Sequence, residues 1–213
     1  MISKNSNIVA GAFTYAFFLL IVSFLIVSYS SVLHAPYLES DSAVMNDKAI
    51  TKYLITGDEG LLPTMTEKEA SHLKDVKRLL LIFVFVALLL LKATIFSWFN
   101  KSPFRKIRWY FPKSKEKLNK KDRLAIILTP FGLISFFTVA QIFLAAAFHE
   151  VFMGFHLLFF PQGNFLFPFD SVLITTYPET FFFSMMTLAF TLFVTFTALL
   201  GFIYIVNFIR RKN

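Results

Sequence analysis

Four stretches of this 213-residue chain, at about 8–29, 79–99, 124–148 and 181–209, are each long and apolar enough to cross a bilayer. A hydrocarbon core of about 30 Å is spanned by roughly 20 helical residues, and only closed barrels or helices satisfy their backbone groups there. The composition agrees. Hydrophobic residues make up 56% and charged residues 16%, against roughly 25% charged in soluble domains. The first stretch exceeds the roughly 7–15 apolar residues of a signal peptide and no clear Ala-x-Ala site follows it, so a retained span is expected. The 30 phenylalanines fit either an A/T-rich genome or acyl-chain packing, and composition leaves both open.

Charge sets an expected orientation. Segment 100–123 carries ten basic residues: Lys101, Arg105, Lys106, Arg108, Lys113, Lys115, Lys117, Lys120, Lys121 and Arg123. Segment 149–180 carries none, and 30–75 has four lysines against eight acids. The positive-inside rule puts this basic loop and both termini in the cytoplasm, with 30–78 and 149–180 outside the cell. The net charge of +8 therefore sits beside apolar spans and does not form a soluble basic face, which argues against nucleic acid as a partner. Trp109, Tyr110 and Phe111 among those basic residues read as an anchor on anionic lipid. With no cysteine, the chain has no disulfide, thiolate nucleophile or cysteine-ligated metal, and cannot itself be a lipoprotein anchored through cysteine.

The outward segments hold all four histidines: His34, His72, His149 and His156. Asp41 or Ser42 is expected to cap a helix ending near Leu54. Thr66-Glu-Lys-Glu69 is a capping-box pattern that starts a helix running into the second span. His72 and Asp75 then sit one turn apart, where the carboxylate can orient the imidazole or raise its pKa; the plain alternative is an exposed surface pair. Between Val151 and Phe169 there is no charge, yet Gly154, Pro161, Gly163 and Pro168 interrupt the run. Such a segment is expected to lie in the membrane interface, packed on the outer helix ends. Alternation at 164–167 and the β-branched Val172, Ile174 and Thr176 predict a small hairpin over about 164–176. Tyr177-Pro178 opens the last span. The expected fold is an all-α membrane protein in one integral domain: a four-transmembrane-helix bundle with an extracellular cap of short helices and this hairpin.

On a regular helix His149 and His156 share a face but stand about 10 Å apart along the axis, too far to chelate one metal ion. A bend at Gly154 would change that. A haem held by His72 and His149 has no other support in the chain. Gly-x-Ser-x-Gly, His-Glu-x-x-His, P-loop and dinucleotide patterns are missing. Histidine acid/base chemistry without a protein nucleophile fits best. A non-enzymatic four-span scaffold and a metal- or haem-binding membrane protein remain as alternatives.

His-Leu-x-Asp-Val-Lys at 72–77, His149-x6-His156-x-x-Phe159-Phe160 with Gly163, and Tyr177-Pro178 followed by Phe181 and Phe182 together resemble the lipoprotein intramolecular transacylase family (Lit) of Gram-positive bacteria. The resemblance implies a plasma-membrane enzyme without cofactor or metal. Its partners are membrane lipid and a lipoprotein whose N-terminal cysteine carries a thioether-linked diacylglyceryl group. The sn-2 acyl chain moves to that cysteine's α-amino group, giving an N-acylated lyso-form lipoprotein. Carried onto these positions, His149 or His156 is the proton shuttle and the other stabilises the oxyanion, with His72 and Asp75 orienting or polarising the shuttle. Backbone N–H near Gly163 assists the oxyanion. Phe152, Phe155, Phe159 and Phe160 line acyl grooves, and Tyr177 counts among the substrate-binding positions. Asn164 departs from the aromatic residue expected after Gly163.

Overall fold

The computed structural model describes residues 4–98 and 120–210, so most of the basic loop at 100–123, with Trp109, Tyr110 and Phe111, lies outside the described residues. Every regular element described is helical: α1 (Lys4–Ser28), α2 (Ser31–His34), α3 (Asp41–Thr56), α4 (Glu67–Trp98), α5 (Lys120–Ala146), α6 (Phe148–Phe159), α7 (Val172–Thr176) and α8 (Glu179–Arg210), with single 3-10 turns at Ala35–Tyr37 and Glu59–Leu61.

Local chemistry accounts for the helix ends. Ser40, one position before the expected cap, accepts from the Ala43 amide and opens α3. Gly57 closes it with φ of 81°, a left-handed conformation that glycine adopts without a Cβ penalty. Lys77 Nζ donates to the Tyr53 carbonyl of that last turn at 3.4 Å, and a methyl group on Gly57 would collide with it. Thr66 and Glu69 form the capping box as spaced: the Thr66 amide donates to Glu69 Oε2 at 2.8 Å and the Glu69 amide to Thr66 Oγ1 at 3.3 Å.

The chain packs as two compact units. One comprises Met1–Val22, Phe85–Ala140 and Thr191–Asn213. Within it Phe137 meets Phe17 and Phe193 edge-on, at 6.2 and 4.8 Å. The other comprises Ser23–Val84 and Gln141–Phe190 and contains all four histidines. Its core is Ile50, Tyr53 and Leu54 of α3, Leu73 and Leu80 of α4 and Leu173 of α7. The i, i+3, i+4 spacing puts the α3 residues on one buried stripe, and each such side chain contributes about 1.5–3 kcal/mol.

Among the described residues, Glu179–Ile203 (25 residues, mean hydropathy 2.1) is long and apolar enough to cross a membrane. Two further pairs qualify together but are bent: Thr14–Ser28 with Ser31–Tyr37 by 79°, and Phe131–Ala146 with Phe148–Phe159 by 92°. The second bend falls at Ala147 (φ −117°, ψ 36°). Gly154, where the sequence suggested a break, lies inside α6.

The expected hairpin over 164–176 does not form. Residues 160–171 are irregular, and 172–176 make the single turn of α7. Ser171 caps that turn by accepting from the Ile174 amide at 3.3 Å, and the Thr175 hydroxyl donates to the Ser171 carbonyl at 2.8 Å. The buried Glu69 carboxylate accepts the Leu173 amide at 3.0 Å. A tertiary anchor and a serine cap together outweigh the β propensity of Val172, Ile174 and Thr176.

Candidate active site

His72 projects from α4 less than two turns beyond the capping box and is 7% exposed. Its ring meets Phe160 at 4.6 Å and Phe167 at 5.5 Å, both edge-on. His156 of α6 stacks beside it, with centroids 6.0 Å apart and planes 23° apart. A ring of phenylalanines encloses His156: Phe152 at 4.2 Å, Phe165 at 5.1 Å, and Phe155 and Phe160 at 5.6 Å each.

The protonation of His156 follows from one bond. Its Nδ1 lies 2.7 Å from the Phe152 carbonyl, which can only accept, so Nδ1 carries hydrogen. In the neutral ring Nε2 then presents a lone pair. Burial holds the pKa of His156 below its ordinary value, against the pull of the Phe152 carbonyl. Burial and the neighbouring His156 push His72 down to about 4, against the opposing pull of Asn164 and Asp75. His72 Nδ1 is enclosed and makes no hydrogen bond of good geometry among the described residues. Two neutral imidazoles thus lie together in an aromatic pocket at neutral pH.

Asp75 does not orient His72 through a direct bond. Its Oδ2 accepts from Gln162 Nε2 at 2.7 Å and Asn164 Nδ2 at 2.8 Å, and its Oδ1 from Arg78 at 2.9 Å. It ties α4 to the loop after α6, and Asn164, 8% exposed, stands next to the pair. Gln162 is the residue that spacing did not point to; Asn164, which stands out in the sequence as a polar residue in an apolar run, here takes an acceptor on α4.

His149 is elsewhere. It sits two turns before His156 on the same uninterrupted helix, with its side chain 67% exposed, and its Nδ1 donates to Glu179 at 3.0–3.1 Å. Glu179 raises its pKa, first by that hydrogen bond and then by its charge. Gly163 has φ of 71°, as the turn requires, but its own N–H donates to the Phe160 carbonyl at 3.0 Å and is not available to an oxyanion. The Tyr177 hydroxyl donates to Asp47 at 2.8 Å, and its ring lies 4.9 Å from that of Phe181, tilted by 42°. Phe155 and Phe159 contact each other at 4.7 Å, with Phe159 40% exposed. Among the described residues no group of three or more His, Asp or Glu side chains is placed to hold a metal ion.

Long apolar helices with a buried histidine pair enclosed by phenylalanines are the features of an integral membrane protein. The sequence profile of the family described as lipoprotein intramolecular transacylase Lit matches residues 7–182. The chain belongs to that family. Its fold is similar to that of the membrane integral lipoprotein intramolecular transacylase Lit from Bacillus cereus, solved in meso, with a TM-score of 0.69 and 20% identity over 94% of this chain and 93% of that one. No curated protein sequence matches the chain.

Proposed function

We propose that this enzyme crosses the plasma membrane four times as a single integral domain, with both termini in the cytoplasm, and transfers an acyl chain within a lipoprotein on the outer face. Its substrate is a diacylglyceryl-modified lipoprotein. The sn-2 ester carbonyl is attacked by the α-amino group of the same cysteine; the C–N bond forms, the C–O bond breaks, and N-acyl lyso-form lipoprotein results. The basic residues at 100–123 and the absence of Lys and Arg from 149–180 support this orientation.

The observation that carries the chemistry is the enclosed His72–His156 pair. An α-amine has a pKa of about 7.7–8.0, so a useful fraction is already neutral at pH 7. It must lose a proton as the C–N bond forms, and the leaving glyceryl oxygen must gain one. His156 Nε2 takes the first proton and returns it to the oxygen, while His72 stabilises the developing charge. Nucleophile and ester belong to one molecule, so positioning supplies much of the acceleration. Phe152, Phe155 and Phe160 pack around the histidines as the floor for acyl chains, with Phe159 at the exposed margin. Asp75 and Asn164 hold the loop that closes the pair. His149 pairs with Glu179 at the surface and takes no part in this transfer. The chemistry uses no cofactor, and no nucleic acid is engaged.

Mass spectrometry of the N-terminal peptide of a co-expressed lipoprotein tests this. Wild-type protein converts diacylglyceryl-Cys to N-acyl lyso-Cys, and His72→Ala and His156→Ala each abolish conversion. Full conversion by either variant overturns the roles. A reporter fused after residue 213 that is found outside the cell overturns the orientation.

A further inference from the structure

A second buried titratable cluster takes no part in this chemistry. His34 at the end of α2 is 5% exposed and Asp47 of α3 only 1%. His34 Nδ1 lies 2.6 Å from Asp47 Oδ1, and His34 Nε2 lies 2.7 Å from the Val27 carbonyl near the end of α1. The Tyr177 hydroxyl, just ahead of α8, donates to the same Asp47 oxygen at 2.8 Å. The Val27 carbonyl can only accept, so Nε2 carries hydrogen; a proton must also lie between Nδ1 and Oδ1, because two lone pairs at that distance repel. Burial and the Asp47 charge keep the Tyr177 hydroxyl well above its ordinary pKa, so it stays a donor.

A buried hydrogen-bonded cluster of this kind is weak evidence for added stability, since apolar residues of equal volume often do as well. What it supplies is direction. Each bond fixes an angle as well as a distance, and the three bonds converge from the ends of α1 and α2, from α3 and from the residue that closes α7. The consequence is traceable to the site through rings. Tyr177 contacts Phe181 at 4.9 Å and Phe182 at 6.1 Å, Phe182 contacts Phe152 at 5.2 Å, and Phe152 contacts His156 at 4.2 Å. Phe152 also supplies the carbonyl that sets the His156 tautomer. We infer that His34, Asp47 and Tyr177 form a clasp that positions the aromatic wall formed by Phe181, Phe182 and Phe152, and through it the lone pair of His156. All three act as positioning residues, through the rings they hold. The inference rests on His156 being the proton carrier.

Tyr177→Phe keeps the ring and removes only the hydroxyl. It is expected to lower kcat for lipoprotein conversion about tenfold with KM held within about twofold, the signature of a misplaced group. The Nδ1–H signal of His156 in 15N-histidine NMR is expected to move as its bond to Phe152 changes. Gly57→Ala, a helix-end change away from the clasp, serves as the stability control; it is expected to lower Tm while leaving kcat and the His156 signal unmoved. Wild-type kcat and an unmoved His156 signal in Tyr177→Phe overturn the clasp, as does an equal change in both measures with Gly57→Ala. If wild-type protein converts no lipoprotein, the acyl-transfer reading fails by itself, and the His156 signal still decides the clasp.

Discussion

The His72 and His156 rings lie 6.0 Å apart with planes only 23° from parallel, each buried and each held below the ordinary histidine pKa. Two imidazolium ions at this separation would repel in a medium that solvates neither well. The neighbouring His156 thus adds to burial in holding the His72 pKa down to about 4. His156→Ala removes the neighbouring charge and is expected to raise the His72 pKa above that value, followed by 15N NMR. An unchanged His72 titration would contradict the coupling. Folding stability follows the same sign. A histidine depressed from 6.5 to about 4 binds protons more weakly when folded, so its contribution is complete above pH 6.5 and declines as pH falls from there to about 4.

His149 should behave oppositely. Glu179 raises its pKa above 6.5, so the pair's contribution is complete below pH 6.5 and is lost as pH rises through the folded value. The side chain is exposed and water screens the pair, so Glu179→Gln is expected to return the His149 pKa toward 6.5 with little change in Tm. His149→Ala should keep lipoprotein conversion within about tenfold of wild type. Complete loss of conversion would move His149 into the reaction.

Asp75 acts through amides. Asp75→Ala leaves the donors of Gln162 and Asn164 without their 2.7 and 2.8 Å acceptor; water replaces it at exposed Gln162, so the buried Asn164 carries the cost, about 1 kcal/mol. Thermal unfolding should show a lowered midpoint, and conversion should fall with it because the loop beside His72 loosens. Asp75→Asn, which keeps one acceptor oxygen, should recover part of both. If Asn recovers nothing, the charge matters more than the bonds.

Glu69 is the anchor whose loss should be most costly. It is 1% exposed and accepts from the Thr66 amide, the Thr66 hydroxyl and the Leu173 amide. Burial pushes its carboxyl up, but these donors outweigh burial and hold it below 4.5. Its contribution is therefore present above pH 4.5 and lost as pH falls through the folded value. Glu69→Ala should cost about 3 kcal/mol and free α7, read by denaturant unfolding and by faster amide exchange at Leu173. Unchanged protection at Leu173 would show that α7 is held by packing alone.

The parts of this protein that could be read from the chain are those governed by near neighbours. Apolar length and the placement of Lys and Arg announced a membrane protein, and Thr66-x-x-Glu69 marked the start of α4, because these signals act within a few residues. His72 and His156 could be nominated as residue types in an apolar setting, but nothing in their spacing says that they stack. The bonds that build the site span long separations: Gln162 reaches Asp75 across 87 residues, Leu173 reaches Glu69 across 104, and Tyr177 reaches Asp47 across 130. No local periodicity encodes such pairs. For that reason Asp75 went to Gln162 and Asn164 and not to His72, and a β-branched run became a helical turn pinned by a buried carboxylate. The 92° bend at Ala147 has no proline or glycine at its centre to announce it. His149 and His156, seven residues apart on one helix, end in opposite settings because packing buries one end of α6 under His72 and Phe160 and leaves the other facing Glu179.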